Sequence, residues 1–96
     1  MAFQLKIVSC GEPDRIEPLP DGNWLVGRSR SAQIQVSQSD VSGRHLLLHV
    51  DGDSVIVENL SPHGAKLNFA TLELPTPFYH GQTVTLGSSL TLTLLK

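Results

Sequence analysis

The chain of 96 residues has one cysteine, no long apolar run and no excess of basic residues. A single cysteine, Cys10, permits no disulfide within the chain, which suits a reducing compartment and predicts a cytoplasmic protein. No apolar run approaches the roughly 18 residues of a membrane span, so we expect no direct membrane insertion. Seven lysines and arginines against nine acidic residues give a net charge of −2, which argues against general nucleic-acid binding.

Length and composition predict one folded domain that covers residues 1–96. A hydrophobic content of 40% is enough for a modest core and argues against disorder. The first ten residues lack a basic segment and a long apolar segment, so we expect no signal peptide. The sequence stops directly after a strand-like run, so we expect this domain to be a module of a larger protein.

Apolar residues recur with a period of two, and helical periodicity is absent. The alternating runs cover residues 3–8, 45–50, 54–60, 83–87 and 90–95. Clusters of Gly, Pro, Asn, Asp and Ser separate them, as is typical of turns. VDGDSV predicts a tight hairpin between the second and third runs, and the two prolines of residues 74–81 predict a loop or an edge strand. Many short strands with such spacing predict an all-β sandwich or barrel.

The segment SGRHLLL places Ser42 three residues before His45, a spacing that raises the question of a nucleophile and its base. No G-x-S-x-G elbow is present, and no carboxylate is predictably aligned behind the histidine, so we expect no enzyme. His45 and His49 would lie about 13 Å apart along a strand, which is too far for one metal ion. We therefore expect neither a metal nor another cofactor.

The basic residues near strand ends offer a different chemistry. Arg28 follows the apolar run WLV and Gly27, and Arg44 lies between Ser42 and the next run. If the two loops meet at one end of a sandwich, these arginines and the serine hydroxyl form a donor-rich anion site. Backbone N–H groups beside Gly43 could complete it. From spacing alone, solvated surface arginines remain the alternative.

The order of three motifs adds a family resemblance. Gly27-Arg28, then Ser42-x-x-His45, then NLSPHG at residues 59–64 resembles the forkhead-associated (FHA) domain, whose pattern is G-R, S-x-x-H and D-L-x-x-N-G. The late segment YHGQTVTLG looks like the family's G-D-x-I-x-L-G piece. The resemblance covers nearly the whole chain and implies an FHA-like β-sandwich of about eleven short strands. Loops at one end would bind phosphothreonine peptides, and the termini would lie close together at the other.

The resemblance also implies roles for individual residues. Arg28 would contact the phosphate, Ser42 would donate its hydroxyl to it, and His45 would pin the loops by hydrogen bonds. The implied phosphate- and peptide-binding residues are Arg28, Ser42, Gly43, Arg44, Ser61 and His63. The implied specificity loop contains Ser29, Arg30 and Ser31, and the structural positions of the motif are Gly27, His45 and Gly64.

Two departures from the family pattern leave two functional interpretations. Pro62 and His63 stand where the family commonly has Ser or Thr followed by Asn, and Arg44 falls one position later than the family's basic residue. The preferred interpretation is a phosphothreonine-recognition module in signalling, whose phosphoprotein partner implies an upstream Ser/Thr kinase. The alternative is a degenerate FHA-like domain that serves as a phosphate-independent assembly or scaffold module, for example in a secretion-type complex.

Overall fold

A computed structural model describes residues 3–96, and in this range the chain forms eleven strands and no helix. The strands are β1 (Phe3–Ser9), β2 (Arg15–Leu19), β3 (Gly22–Gly27), β4 (Ile34–Gln35), β5 (Leu46–Asp51), β6 (Ser54–Asn59), β7 (Lys66–Leu67), β8 (Ala70–Thr71), β9 (Thr76–Pro77), β10 (Thr83–Leu86) and β11 (Leu90–Leu95). The all-β sandwich predicted from the sequence is confirmed. Among these residues there is no helix with the length and hydropathy needed to cross a membrane.

The strands form two sheets that face each other. One has the order β2-β1-β11-β10-β7-β8, and the other has the order β4-β3-β5-β6-β9. The first and last strands pair antiparallel, from Gln4 opposite Leu95 to Ser9 opposite Leu90. This pairing holds the two ends of the described chain side by side, as the family resemblance implied.

Alternation along the strands builds the core between the sheets. In β5, Leu46, Leu48 and Val50 are buried, and the intervening Leu47 and His49 are half-buried. The same pattern recurs in β11, where three leucines point inward and the threonines between them point outward. Burying each such leucine or valine contributes about 1.5–3 kcal/mol, so this alternation fixes which face of each strand turns inward.

The predicted hairpin and the predicted edge are both present. Strands β5 and β6 are joined by a two-residue turn between the paired Asp51 and Ser54, and Gly52 has a φ of +59° there. The proline-rich segment supplies β9, which lies at the edge of its sheet. Strand β2 was not predicted, because it contains Pro18 and its largely exposed residues show no apolar alternation. A proline is tolerated there because β2 is itself an edge strand.

Register brings three loops to one end of the sandwich. Val26 at the end of β3 pairs with Leu46 at the start of β5, and Leu46 pairs with Asn59 at the end of β6. Three loops therefore emerge at the same end of the sandwich: the first follows Gly27, the second precedes Leu46, and the third follows Asn59. They carry the motifs that the sequence singled out.

Candidate phosphate-binding site

Two of these loops are joined along their backbones. The N–H of Arg28 donates to the carbonyl of Ser42 at 3.1 Å, and the N–H of Ser29 donates to the carbonyl of Gly43 at 3.0 Å. These bonds fix the start of the first loop against the middle of the second. Arg28 and Ser42, two of the residues that the sequence placed in a hypothetical anion site, are therefore brought together.

The side chain of Arg28 is exposed and only partly engaged. Its Nε donates to the carbonyl oxygen of Val41 at 2.5 Å. Within residues 3–96 no carboxylate lies within 4.0 Å of the guanidinium, and its two terminal nitrogens make no hydrogen bond. The Val41 carbonyl thus holds one side of the guanidinium and leaves its fork for a ligand.

A pair of serine hydroxyls links the second loop to the third. The Oγ of Ser42 is 2.6 Å from the Oγ of Ser61, and the Ser61 oxygen also accepts the N–H of His63 at 3.0 Å. Ser61 is 5% exposed, whereas Ser42 is half-buried. When Ser61 donates to Ser42, the hydroxyl proton of Ser42 stays available at the more open position.

The third loop is a tight turn over residues 61–64. The N–H of Gly64 donates to the carbonyl of Ser61 at 3.1 Å, and Gly64 has a φ of +79°, which favours glycine. The side chain of Asn59 holds the same serine from both sides, because Nδ2 donates to its carbonyl at 2.8 Å and Oδ1 accepts its N–H at 3.2 Å. Pro62 and His63 are exposed at the tip.

His45 connects the second and third loops from beneath. It is fully buried, and its Nδ1 accepts the N–H of Ser42 at 3.0 Å. Nε2 must then carry the ring proton, and it lies 2.7 Å from the carbonyl oxygen of Gly64, to which it donates. With both ring nitrogens occupied, His45 is no base for Ser42 and instead braces the two loops.

Comparison with protein families gives a match over this region. The FHA domain model matches residues 24–87, which contain all three loops. The chain belongs to the FHA domain family. A search of curated proteins found no match.

Solved structures of other FHA domains share the fold. The FHA domain of the CT664 protein from Chlamydia trachomatis is 24% identical with a TM-score of 0.91, covering 100% of this chain and 98% of that one. The FhaA FHA domain, complexed with the intracellular domain of Rv3910, is 25% identical with a TM-score of 0.82, covering 94% and 98%. The N-terminal FHA domain of Saccharomyces cerevisiae Rad53p, in complex with a phosphothreonine peptide, is 17% identical with a TM-score of 0.83, covering 99% and 93%.

Other predicted residues of the FHA domain lie in these loops, but their side chains make no contact with Arg28, Ser42 or Ser61 among the hydrogen bonds of residues 3–96. Arg30 and Arg44 are exposed and form no ion pair within the described residues, and Arg44 precedes the start of β5, so it belongs to the loop. Ser29 and Ser31 close a small turn, with their hydroxyl oxygens 2.8 Å apart and the Ser31 N–H 3.1 Å from the Ser29 oxygen. Their roles in binding stay predictions.

A clamp that the sequence did not reveal holds the second loop of the FHA domain to the β10–β11 turn. Oδ2 of Asp40 accepts the N–H of Ser88 at 2.8 Å and its hydroxyl at 2.9 Å. These two hydrogen bonds favour the carboxylate and hold the pKa of Asp40 below its usual range. Asn59 was also missed, although an Asn two residues before a Ser is a local signal for such a turn.

Residues 3–96 contain no cluster of three or more His, Cys, Asp or Glu side chains that could hold a metal ion. Cys10 is exposed just after β1.

Proposed function

We propose that this FHA domain recognises phosphothreonine peptides, with Arg28 and Ser42 as the phosphate ligands. The main support for this proposal is that the guanidinium of Arg28 is oriented but not neutralised. Its Nε is fixed on the Val41 carbonyl, and no carboxylate of residues 3–96 neutralises its fork. An oriented, unneutralised guanidinium beside a serine hydroxyl suits a dianionic ligand.

In this proposal, three kinds of donor bind the phosphate. Arg28 supplies two N–H groups in the bidentate geometry that phosphate oxygens match. The hydroxyl oxygens of Ser42 and Ser61 lie 2.6 Å apart, and the orientation in which Ser61 donates leaves the Ser42 proton for the ligand. The N–H of Gly43 has no backbone or side-chain acceptor within residues 3–96 and adds a third donor. A phosphate carries about −1.5 to −2 charges at pH 7, so these donors favour it over neutral groups.

The relatives support a protein partner. The Rad53p domain was solved with a phosphothreonine peptide, and the FhaA domain was solved with an intracellular protein domain. By this analogy the partner of the present domain is a phosphothreonine-containing protein, and a Ser/Thr kinase acts upstream to create the ligand. The domain itself is a non-enzymatic interaction module, and we propose a cytoplasmic location for it.

A second candidate, phosphate-independent assembly, is favoured by the tip of the third loop. Pro62 lacks an N–H, and His63 lacks the paired donor and acceptor with which an Asn amide holds a peptide backbone. An FHA domain with a weakened peptide contact could retain its sandwich for other protein contacts. The two functions differ in their dependence on phosphate and on Arg28.

The deciding experiment is calorimetric titration with a degenerate phosphothreonine peptide library, its unphosphorylated form and its phosphoserine form. Arg28→Ala should weaken binding by at least about 10- to 100-fold, because even one charge-assisted hydrogen bond contributes about 1.5–3 kcal/mol. Lys6→Ala, which removes the same charge from β1 in the other sheet, is the matched control and should leave affinity unchanged. Equal binding of the unphosphorylated library, or equal affinity of Arg28→Ala, would overturn the proposal in favour of phosphate-independent assembly.

A further inference from the structure

An exposed phenylalanine occupies a backbone conformation that glycine would fill more readily. The hairpin between β7 and β8 turns on Asn68 and Phe69, with φ of +46° and +74°. Two positive φ values in a two-residue loop correspond to a type I′ turn, whose second position strongly favours glycine. Phe69 is nevertheless present, and its side chain is 96% exposed. The positive φ costs folding free energy and the exposed ring gains none from burial, so we attribute the residue to contact with a partner.

Phe69 is one wall of a groove on the outer face of its sheet. The groove has a volume of about 410 Å³ and is lined by His63, Gly64, Lys66, Phe69, Thr71 and Thr85, among others. Lys66 pairs with Thr85 of β10 on one side and with Thr71 of β8 on the other. These three side chains therefore project from the same face of three neighbouring strands.

The groove presents one positive charge beside one aromatic ring. Lys66 is exposed and makes no ion pair within residues 3–96. Phe69 can cover an apolar side chain of a ligand, and Lys66 can pair with a carboxylate. The complementary ligand is a segment that carries both an apolar and an acidic residue.

The groove is continuous with the candidate phosphate site. His63 and Gly64 line the groove, and they also belong to the turn whose Ser61 bonds to Ser42. A peptide that is bound at Ser42 and passes over this turn therefore enters the groove.

We propose that this groove, lined by Phe69 and Lys66, binds the segment of the phosphothreonine peptide that lies beyond the residues next to the phosphothreonine. The segment places an apolar side chain against Phe69 and an acidic side chain near Lys66. The inference rests on the proposed phosphopeptide function and adds a selectivity that the phosphate ligands alone do not supply.

The test uses a positional-scanning library of 15-residue peptides with a central phosphothreonine, alongside five-residue phosphothreonine peptides. The variants are Phe69→Gly and Lys66→Gln, with Leu74→Gly as a control at another exposed apolar residue. Phe69→Gly relieves the positive φ, so it should fold at least as stably as wild type in urea denaturation. Wild type should enrich apolar and acidic residues at positions distant from the phosphothreonine.

Each variant should remove one part of this preference. Phe69→Gly should lose the apolar preference and bind the best long peptide about tenfold more weakly. Lys66→Gln should lose the acidic preference, and both variants should bind the short peptides like wild type. If the residue preferences of both variants match wild type and the short peptides still bind, the groove proposal is wrong and the phosphate site is unaffected. Failure of every phosphopeptide to bind wild type would overturn both proposals.

Discussion

The backbone of Gly27 lies directly against the backbone of Gly43. A Cβ atom at Gly27 would overlap the carbonyl oxygen of Gly43 and lie 2.7 Å from its carbonyl carbon and 2.9 Å from the carbonyl oxygen of Ser42. A side chain at Gly43 would not be crowded, because a Cβ there would meet no atom closer than 3.8 Å. Glycine is thus required at position 27 of the G-R motif because two backbones approach closely there, and not because of a positive φ.

This asymmetry predicts different effects of one methyl group at the two positions. Gly27→Ala should lower the free energy of unfolding by about 1–3 kcal/mol, because backbone atoms must move to admit the new methyl. Gly43→Ala, the matched control, should change it by less than about 0.5 kcal/mol. Urea denaturation of the two variants beside wild type measures both values. Equal stability of the variants would contradict the packing described here.

A second prediction concerns His45. Replacing it by Ala leaves the Ser42 N–H and the Gly64 carbonyl without their ring partners, each at a cost of about 1–3 kcal/mol. His45→Ala should therefore lose about 2–6 kcal/mol of stability and weaken phosphopeptide binding through both loops. His49→Ala removes a half-exposed histidine of β5 and should cost less than half as much. Thermal unfolding and peptide titration of the two variants measure these effects. A His45→Ala variant with the stability and affinity of wild type would show that His45 does not hold the second and third loops together.

The sequence allowed the sandwich and part of the site to be predicted. Period-two alternation predicted β1, β5, β6, β10 and β11 because their inner faces are buried, and the ordered motifs indicated that Arg28, Ser42 and Ser61 share one end. Alternation did not predict β3, because its last three residues are all buried. The sequence could not reveal the clamp between Asp40 and Ser88, because those residues are 48 positions apart and neither lies in a periodic pattern. Phe69 was missed for a related reason, because a turn of this type is ordinarily recognised by a glycine.

The Asp40 clamp predicts a pH dependence of stability. Its pKa is lowered in the folded protein by the bonds from Ser88, so the stabilisation is fully present above the unfolded pKa of about 3.9. It is lost as the pH falls through the lower folded pKa, when the carboxylate takes up a proton. The free-energy gap between wild type and Asp40→Asn should therefore be constant above about pH 5 and shrink toward pH 2.

Urea denaturation at successive pH values measures that gap. Asp53→Asn is the control for loss of one negative charge, because Asp53 is exposed and its carboxylate makes no hydrogen bond or ion pair within residues 3–96. A gap for Asp40→Asn that stays constant down to pH 2 would contradict a carboxylate held by Ser88.

The last prediction concerns the departure at the tip of the third loop. His63 is exposed, and its N–H is already held by the Ser61 hydroxyl, so its side chain can change without disturbing that bond. His63→Asn introduces an amide that can both donate to and accept from a peptide backbone. One or two added hydrogen bonds of about 0.5–1.5 kcal/mol should tighten phosphopeptide binding about 3- to 30-fold while the free energy of unfolding stays unchanged. The matched control is His63→Ala, which offers neither contact and should not tighten binding. Equal affinities for the Asn and Ala variants in calorimetric titration would mean that the ligand backbone does not pass over the turn, and the weakness expected of this site would then have another source.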